Sequence, residues 1–286
     1  MLPTGERMSY KSILFNAGDV GEGSQAFATA LDLARHFGAH LTGVHVGNSI
    51  RYTYEFAHGA ASATLEAQDQ DTHLAGKEAV LHLRERAAGA GLDDSDWLYV
   101  SGEPQRVLAR HSRAADLLIT PSGDSLARGG RVGINLPADL ALACACPVLL
   151  IPEISAAPTL PRRVLIAWKP SSQAARAVRG ALPLLRDAQE VVIVTARTGA
   201  GPGASERAPA TAIQTLLDHH GVRAHLASPV DTPQGVTEAL LSYASTFGAD
   251  LICMGAYGRS RLREVLLGGV TWRMLRQVTV PVLMSH

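Results

Sequence analysis

Short uninterrupted apolar runs alternate along this chain with longer stretches whose apolar residues recur every three or four positions. A run of the first kind reads as a strand buried on both faces, and a stretch of the second as an amphipathic helix. In the first half, strands are expected at 12–17, 40–46, 97–100, 116–120 and 147–151. Helices are expected over 25–37, 61–88 and 104–112, while 131–143 is less regular. On 25–37, Phe27, Ala30, Leu31 and Ala34 share one face, and Gly38 stands where a helix commonly closes on a left-handed glycine. Residues 1–10 read as a loose leader and 18–24 as a turn. Residues 152–161 are rich in Pro, Ala and Ser, a linker by composition, and after them the pattern restarts. Strands follow at 163–168, 190–195, 223–227, 251–254 and 280–284, with helices over 172–185, 210–220 and 234–247. Residues 199–208, dense in Gly, Pro and Ser, read as a loop. A last helix is expected from near Gly268 and Gly269, because Leu267, Val270, Thr271, Met274, Leu275 and Val278 fall on one helical stripe.

The restart is a repeat. Ala115-Asp116-Leu117-Leu118-Ile119 is mirrored by Ala249-Asp250-Leu251-Ile252-Cys253, and Cys146-Pro147-Val148-Leu149 by Val280-Pro281-Val282-Leu283. Each half alternates five strands with four helices, which predicts an α/β fold: two tandem doubly wound parallel-sheet domains, over 1–153 and 161–286.

Composition narrows the function without naming it. A chain of 286 residues suits two domains, and its 47% apolar and 18% charged content is that of a soluble globular protein. No apolar run approaches the roughly 18 residues of a spanning helix, and the first residues lack a signal-like apolar region. A formal net charge of +0 argues against nucleic acid as the main partner. Cys144, Cys146 and Cys253 are odd in number and sit among apolar residues, which points to free buried thiols and a cytoplasmic setting. His36 and His40 are separated by the helix-ending Gly38, so they do not form a metal-binding face; His45 reads as a packed strand histidine. No nucleophile frame and no acid/base pair is visible.

The candidate chemistry lies in the glycines of the last stretch. Gly255 and Gly258 fall where a strand hands over to a loop, and Gly268 and Gly269 where a helix begins. At both places a phosphate can lie against bare backbone N–H groups that a side chain would block. An anion at a helix N-terminus gains about 0.3–1 kcal/mol from the dipole.

The spacing Gly255-x2-Gly258-x9-Gly268, followed by Gly269-Val270-Thr271, resembles the G-2x-G-9x-G-(S/T) phosphate loop of the universal stress protein family. The closing Val280-Pro281-Val282-Leu283-Met284 is similar to that family's last strand. The likeness covers almost the whole chain, as a tandem pair. It implies the strand order 3-2-1-4-5 in each half, the fold of the adenine-nucleotide α-hydrolases. In such a sheet ligands lie beyond the carboxyl ends of strands 1 and 4, where the order reverses. The resemblance further implies ATP or another adenine nucleotide, with Mg, in the second half. Gly255, Gly258, Gly268, Gly269, Val270 and Thr271 would hold the phosphates, and Ala167, Lys169, Val194 and Thr195 would flank base and ribose. It implies a regulator with at most slow hydrolysis, and pairing through the closing strands, hence a homodimer. Two positions depart from the pattern: Lys169 stands where the family carries Asp, and Gly269 where nucleotide-binding members carry Ser or Thr. The first half departs further. Pro121 offers no N–H, Asp124 adds negative charge, and Ile134 and Asn135 stand where the second half has two glycines, so no nucleotide is expected there. A scaffold that has lost nucleotide binding is the alternative. An adenylating enzyme is disfavoured, because Lys169-Pro170-Ser171-Ser172 does not supply the glycine-rich loop such enzymes need.

Overall fold

A computed structural model describes residues 9–286 except 19, 22, 48–61, 123–135, 154, 156, 198–203, 232–234 and 257–269. The first half runs β1 (Ser12–Asn16), α1 (Gln25–Phe37), β2 (His40–Gly47), α2 (Ser62–Gly89), β3 (Asp96–Ser101), α3 (Pro104–His111), β4 (Leu117–Pro121), α4 (Leu136–Ala143) and β5 (Val148–Ile151). The second runs β6 (Arg163–Ala167), α5 (Ser172–Asp187), β7 (Glu190–Val194), β8 (Ala196–Arg197), α6 (Ala204–His219), β9 (Ala224–Leu226), β10 (Val230–Asp231), α7 (Val236–Phe247), β11 (Leu251–Gly255), α8 (Val270–Gln277) and β12 (Val282–Ser285). Local chemistry sets the helix ends. Ser24 Oγ accepts the Phe27 N–H at the start of α1, and Gly38, at φ 59°, closes it. Ser171 Oγ caps α5 by accepting the Ala174 N–H.

Each half has the order 3-2-1-4-5, and the two sheets join into one ten-stranded sheet, β3-β2-β1-β4-β5-β12-β11-β6-β7-β9. Pairing is parallel everywhere except between β5 and β12, which run antiparallel with Leu149 opposite Leu283. Each closing strand, an open edge when its half is considered alone, is therefore covered by the other within one chain. The repeat extends to details. The Asp116 carboxylate accepts the Lys11 and Ser12 amides at 2.7 and 3.0 Å, and the Asp250 carboxylate accepts those of Arg162 and Arg163 at 2.9 and 2.9 Å. In both halves an Asp before the fourth strand thus clamps the chain entering the first.

The sheet separates two apolar layers, and each layer crosses the seam between halves. One joins Phe15, Ile119 and Leu149 to Ile166, Cys253 and Leu283. The other joins Leu118, Val148 and Leu150 to Ile252, Val282 and Met284. At the seam a Cβ on Gly180 of α5 would come within 2.6 Å of Pro147 Cγ. The Tyr10 hydroxyl donates to the Gly180 carbonyl at 2.6 Å.

Two expectations need correction, and one feature is new. Residues 204–208 are helical, as the first turns of α6, because packing of Ala210, Ile213 and Leu217 overrides the loop-like composition ahead of them. The irregular 131–143 contains α4 over its last eight residues. A two-stranded ladder pairing β8 with β10 was not foreseen; two residues per strand are too few to carry a periodic signal.

Candidate functional site

The switch point of the second half lies between the carboxyl ends of β6 and β11. Register places Ala167 between Met254 of β11 and Val194 of β7, so the three strand ends are level. Ala167 is half-buried, whereas Val194 and Thr195 are buried. The connection leaving β6 is fixed by the Trp168 N–H donating to Val194 O at 2.8 Å, and the Val230 N–H donates to Thr195 O at 2.9 Å. The β8–β10 ladder thus stands directly beyond the end of β7. Lys169 is exposed in the β6–α5 connection, just ahead of the first turn of α5. On that helix Arg176 Nε donates to the His286 carbonyl at 2.7 Å. Lys169 thus precedes the α5 N-terminus, the positive end of a dipole, and Arg176 lies in the helix just past its first turn.

Gly255 is the last residue of β11, and a Cβ there would come within 2.6 Å of Ala174 N and 3.0 Å of Gln173. Only glycine lets the first turn of α5 lie against the end of this strand. Ala256 follows, buried, with its N–H donating to Ser285 O at 2.8 Å and its carbonyl 3.1 Å from His286 Nδ1. Its amide is thus engaged within the protein. Val270 and Thr271 open the described part of α8. Thr271 is buried, and the Val270 carbonyl accepts from Thr237 Oγ1 of α7 at 3.4 Å. Gly258, Gly268 and Gly269 lie outside the described residues. Sequence reasoning did not single out Glu238, in the first turn of α7. One of its carboxylate oxygens lies 3.8 Å from Arg273 of α8, and the other is buried without a hydrogen-bond partner among the described residues. An acid shortly after Gly235 was the available signal, and it also fits a plain helix start.

The first half is built differently at the matching place. Asn16 ends β1 where Ala167 ends β6, and Thr120 of β4 stands where Met254 stands in β11. Asn16 Nδ2 donates to Thr120 Oγ1 at 2.9 Å, and Asn16 Oδ1 accepts the Gly18 N–H at 3.2 Å. Both side chains are buried. Ala167 and Met254, at the matching positions of the second half, carry no side-chain groups that could form such a bridge. Ile134, Asn135 and Asp124 lie outside the described residues.

The other candidates have partners elsewhere in the fold. His36 Nε2 lies 2.7 Å from an Asp187 oxygen and His40 Nε2 3.1 Å from an Asp96 oxygen, so the two histidines serve different partners. His45 Nδ1 lies 3.1 Å from Ala17 O while its ring stacks on Tyr99. The three cysteines are free, and burial pushes the thiols of Cys146 and Cys253 up to about 12 and that of Cys144 up to about 11. Among the described residues no cluster of His, Cys, Asp and Glu could hold a metal ion, and no helix is long and apolar enough to cross a membrane.

The sequence model of the universal stress protein family matches residues 9–152 and 161–286, two tandem segments that take in nearly the whole chain. The chain belongs to the universal stress protein family. A universal stress protein from Archaeoglobus fulgidus DSM 4304 has the same fold, with TM-score 0.72 at 17% identity over 96% of each chain. The universal stress protein Slr1230 of Synechocystis sp. is 41% identical over 46 residues, a match spanning 16% of either chain. A family member solved in complex with cAMP aligns with 44% of this chain and 98% of its own, at 25% identity and TM-score 0.35. Membership in the family fixes the architecture.

Proposed function

We propose that this protein is a regulatory universal stress protein that binds an adenine nucleotide, as ATP with Mg, at the switch point of its second half. The observation that carries the reading is the contrast between the halves. Asn16 and Thr120 bridge the first mouth, while Ala167 and Met254, at the matching positions of the second, carry no hydrogen-bonding side chain, and Lys169 and the capped start of α5 follow β6. In this reading Ala167, Lys169, Val194 and Thr195 flank base and ribose. Gly255, Gly258, Gly268, Gly269, Val270 and Thr271 line the phosphates, and Lys169 and Arg176 supply the opposing charge. Its role is sensing in the cytoplasm, with at most slow hydrolysis. Calorimetric titration with ATP-Mg tests it, joined to a thermal melt. Nucleotide at 100 times its Kd raises native stability by about 2.7 kcal/mol, and the melting point rises accordingly. Neither heat nor shift at millimolar nucleotide refutes the proposal.

A second reading, a scaffold without nucleotide, is favoured by two specific contacts. Gly255 is required by the approach of α5 whether or not a ligand binds, and the Ala256 amide is already bonded to Ser285 O. The same titration decides between them. In either reading a homodimer needs a surface other than β5 and β12, which cover each other.

A further inference from the structure

Helix α2 carries a stripe that no described part of the chain covers. Leu74 and Leu81 are 59% and 57% exposed, more than any other large hydrophobic side chain among the described residues. They lie seven apart, on one line of the helix. The opposite side does the packing: Gly76, Val80, Leu83 and Ala87 are buried, Gly76 so closely that a Cβ would meet Tyr99 at 2.2 Å. At 3.6 residues per turn these positions centre about 150° from the leucine line, so the stripe points away from the body.

Charged rows flank the leucines. Lys77 and Arg84 each follow a leucine by three positions and Glu78 and Glu85 by four. On a helix these fall about 60° to one side and about 40° to the other. All four are exposed, and none forms an ion pair among the described residues. A leucine line between a cationic and an anionic row complements itself under one operation, a two-fold axis parallel to the helix. Two parallel copies in register bring leucine against leucine, with Lys77 facing the partner's Glu78 and Arg84 facing the partner's Glu85. In each such pair the charges differ in height by one residue, about 1.5 Å along the axis. An antiparallel pair would set acid against acid and base against base, which is disfavoured.

We propose that α2 is the surface through which two copies of this chain associate, as a short parallel leucine contact with charged flanks. The closing strands are spent on each other inside the chain, and the α2 contact is independent of nucleotide binding.

Sedimentation equilibrium on the full chain, from micromolar to millimolar, is expected to show a concentration-dependent dimer. The double variant L74E/L81E should be monomeric with an unchanged circular dichroism melt, since both side chains lie outside the core. The variants K77E/R84E and E78K/E85K should each associate about tenfold more weakly or less, and their mixture should form a one-to-one heterodimer. A monomer throughout the range, a dimer that survives L74E/L81E, or a mixture that fails to associate overturns the proposal. Oxidative cross-linking fixes the direction. L74C should link to itself; a link formed only between L74C and L81C chains would replace the parallel arrangement by an antiparallel one and so refute it.

Discussion

Gly180 lies inside α5, where Ala in place of Gly ordinarily stabilises by about 0.5–1 kcal/mol. Here the new Cβ would stand 2.6 Å from Cγ and 3.0 Å from Cβ of Pro147, the residue leading into β5 of the other half. A proline ring cannot swing aside as a lysine tip would, so either the ring or the helix has to shift. Overpacking of this kind costs about 1–3 kcal/mol. Withdrawing α5 also stretches the 2.6 Å bond from the buried Tyr10 hydroxyl to the Gly180 carbonyl, a contribution of about 1 kcal/mol. The unfavourable terms exceed the gain in helix propensity, and Gly180→Ala is expected to destabilise by about 1–3 kcal/mol. Urea denaturation measures this as a lowered midpoint at unchanged slope. Gly89→Ala, at the end of α2 with nothing within 4 Å of its Cβ, is the matched control and should be neutral or stabilising by up to about 1 kcal/mol. Adding Pro147→Ala to Gly180→Ala removes the nearer contact and should return part of the loss, with a coupling of about 1 kcal/mol. A Gly180→Ala protein as stable as its parent would refute the close approach, and with it the claim that the halves pack as one body.

Installing the first half's bridge in the second, by Ala167→Asn with Met254→Thr, should abolish the ATP-dependent shift in melting point; an unchanged shift would show that nucleotide does not use this mouth. His111 has its pKa lowered by burial and by neighbouring Arg110, and its Nε2 is buried without a partner among the described residues. The unfolded chain therefore takes up the proton first as pH falls below 6.5, and stability is lost in that window. His111→Gln should flatten the decline between about pH 7 and 5, and parallel pH profiles of the two proteins would contradict the assignment. With thiols pushed up to about 11 and 12, the native protein should resist alkylation near pH 8, whereas all three cysteines should react in denaturant; rapid labelling of the folded chain would show that the cysteines are not shielded.

The alternation of strands and helices was readable because the strands are buried on both faces and so appear as unbroken apolar runs. Gln25–Phe37 is a case in point: stripe and Gly38 stop agree, and the helix has the expected limits. The pairing of β5 with β12 was only half readable. Sequence marks both as closing edges, but nothing in Val148–Ile151 says whether its partner belongs to the same chain. The α6 start was hidden because Pro209 and the glycines before it are local breakers, while the packing that holds the helix is remote in sequence. At the candidate site, Ala167, Lys169 and Val194 fall at the strand ends as topology requires. What the sequence could not give was the use of each glycine: Gly255 looks like a bare backbone position, yet its open side faces the first turn of α5. The Asn16–Thr120 bridge was missed too, since two polar residues about a hundred positions apart signal nothing until register sets them side by side.

The duplication explains how the two mouths can differ while the fold does not. The two Asp clamps lie at the amino ends of the strands, and both apolar layers are shared by strands and helices of the two halves. The residues that distinguish the halves, Asn16 and Thr120 against Ala167 and Met254, sit at the carboxyl ends, the side on which ligands lie in an open α/β sheet. Polar groups there bond either to each other or to something arriving from outside. Where Asn16 and Thr120 satisfy each other, a ligand would have to break a buried hydrogen bond before gaining one, and removing a single partner leaves a desolvated group costing about 1–3 kcal/mol. Where alanine and methionine stand, no such side-chain bond has to be broken. Under the proposed function, the half with the weaker internal chemistry is the one expected to bind a ligand more readily.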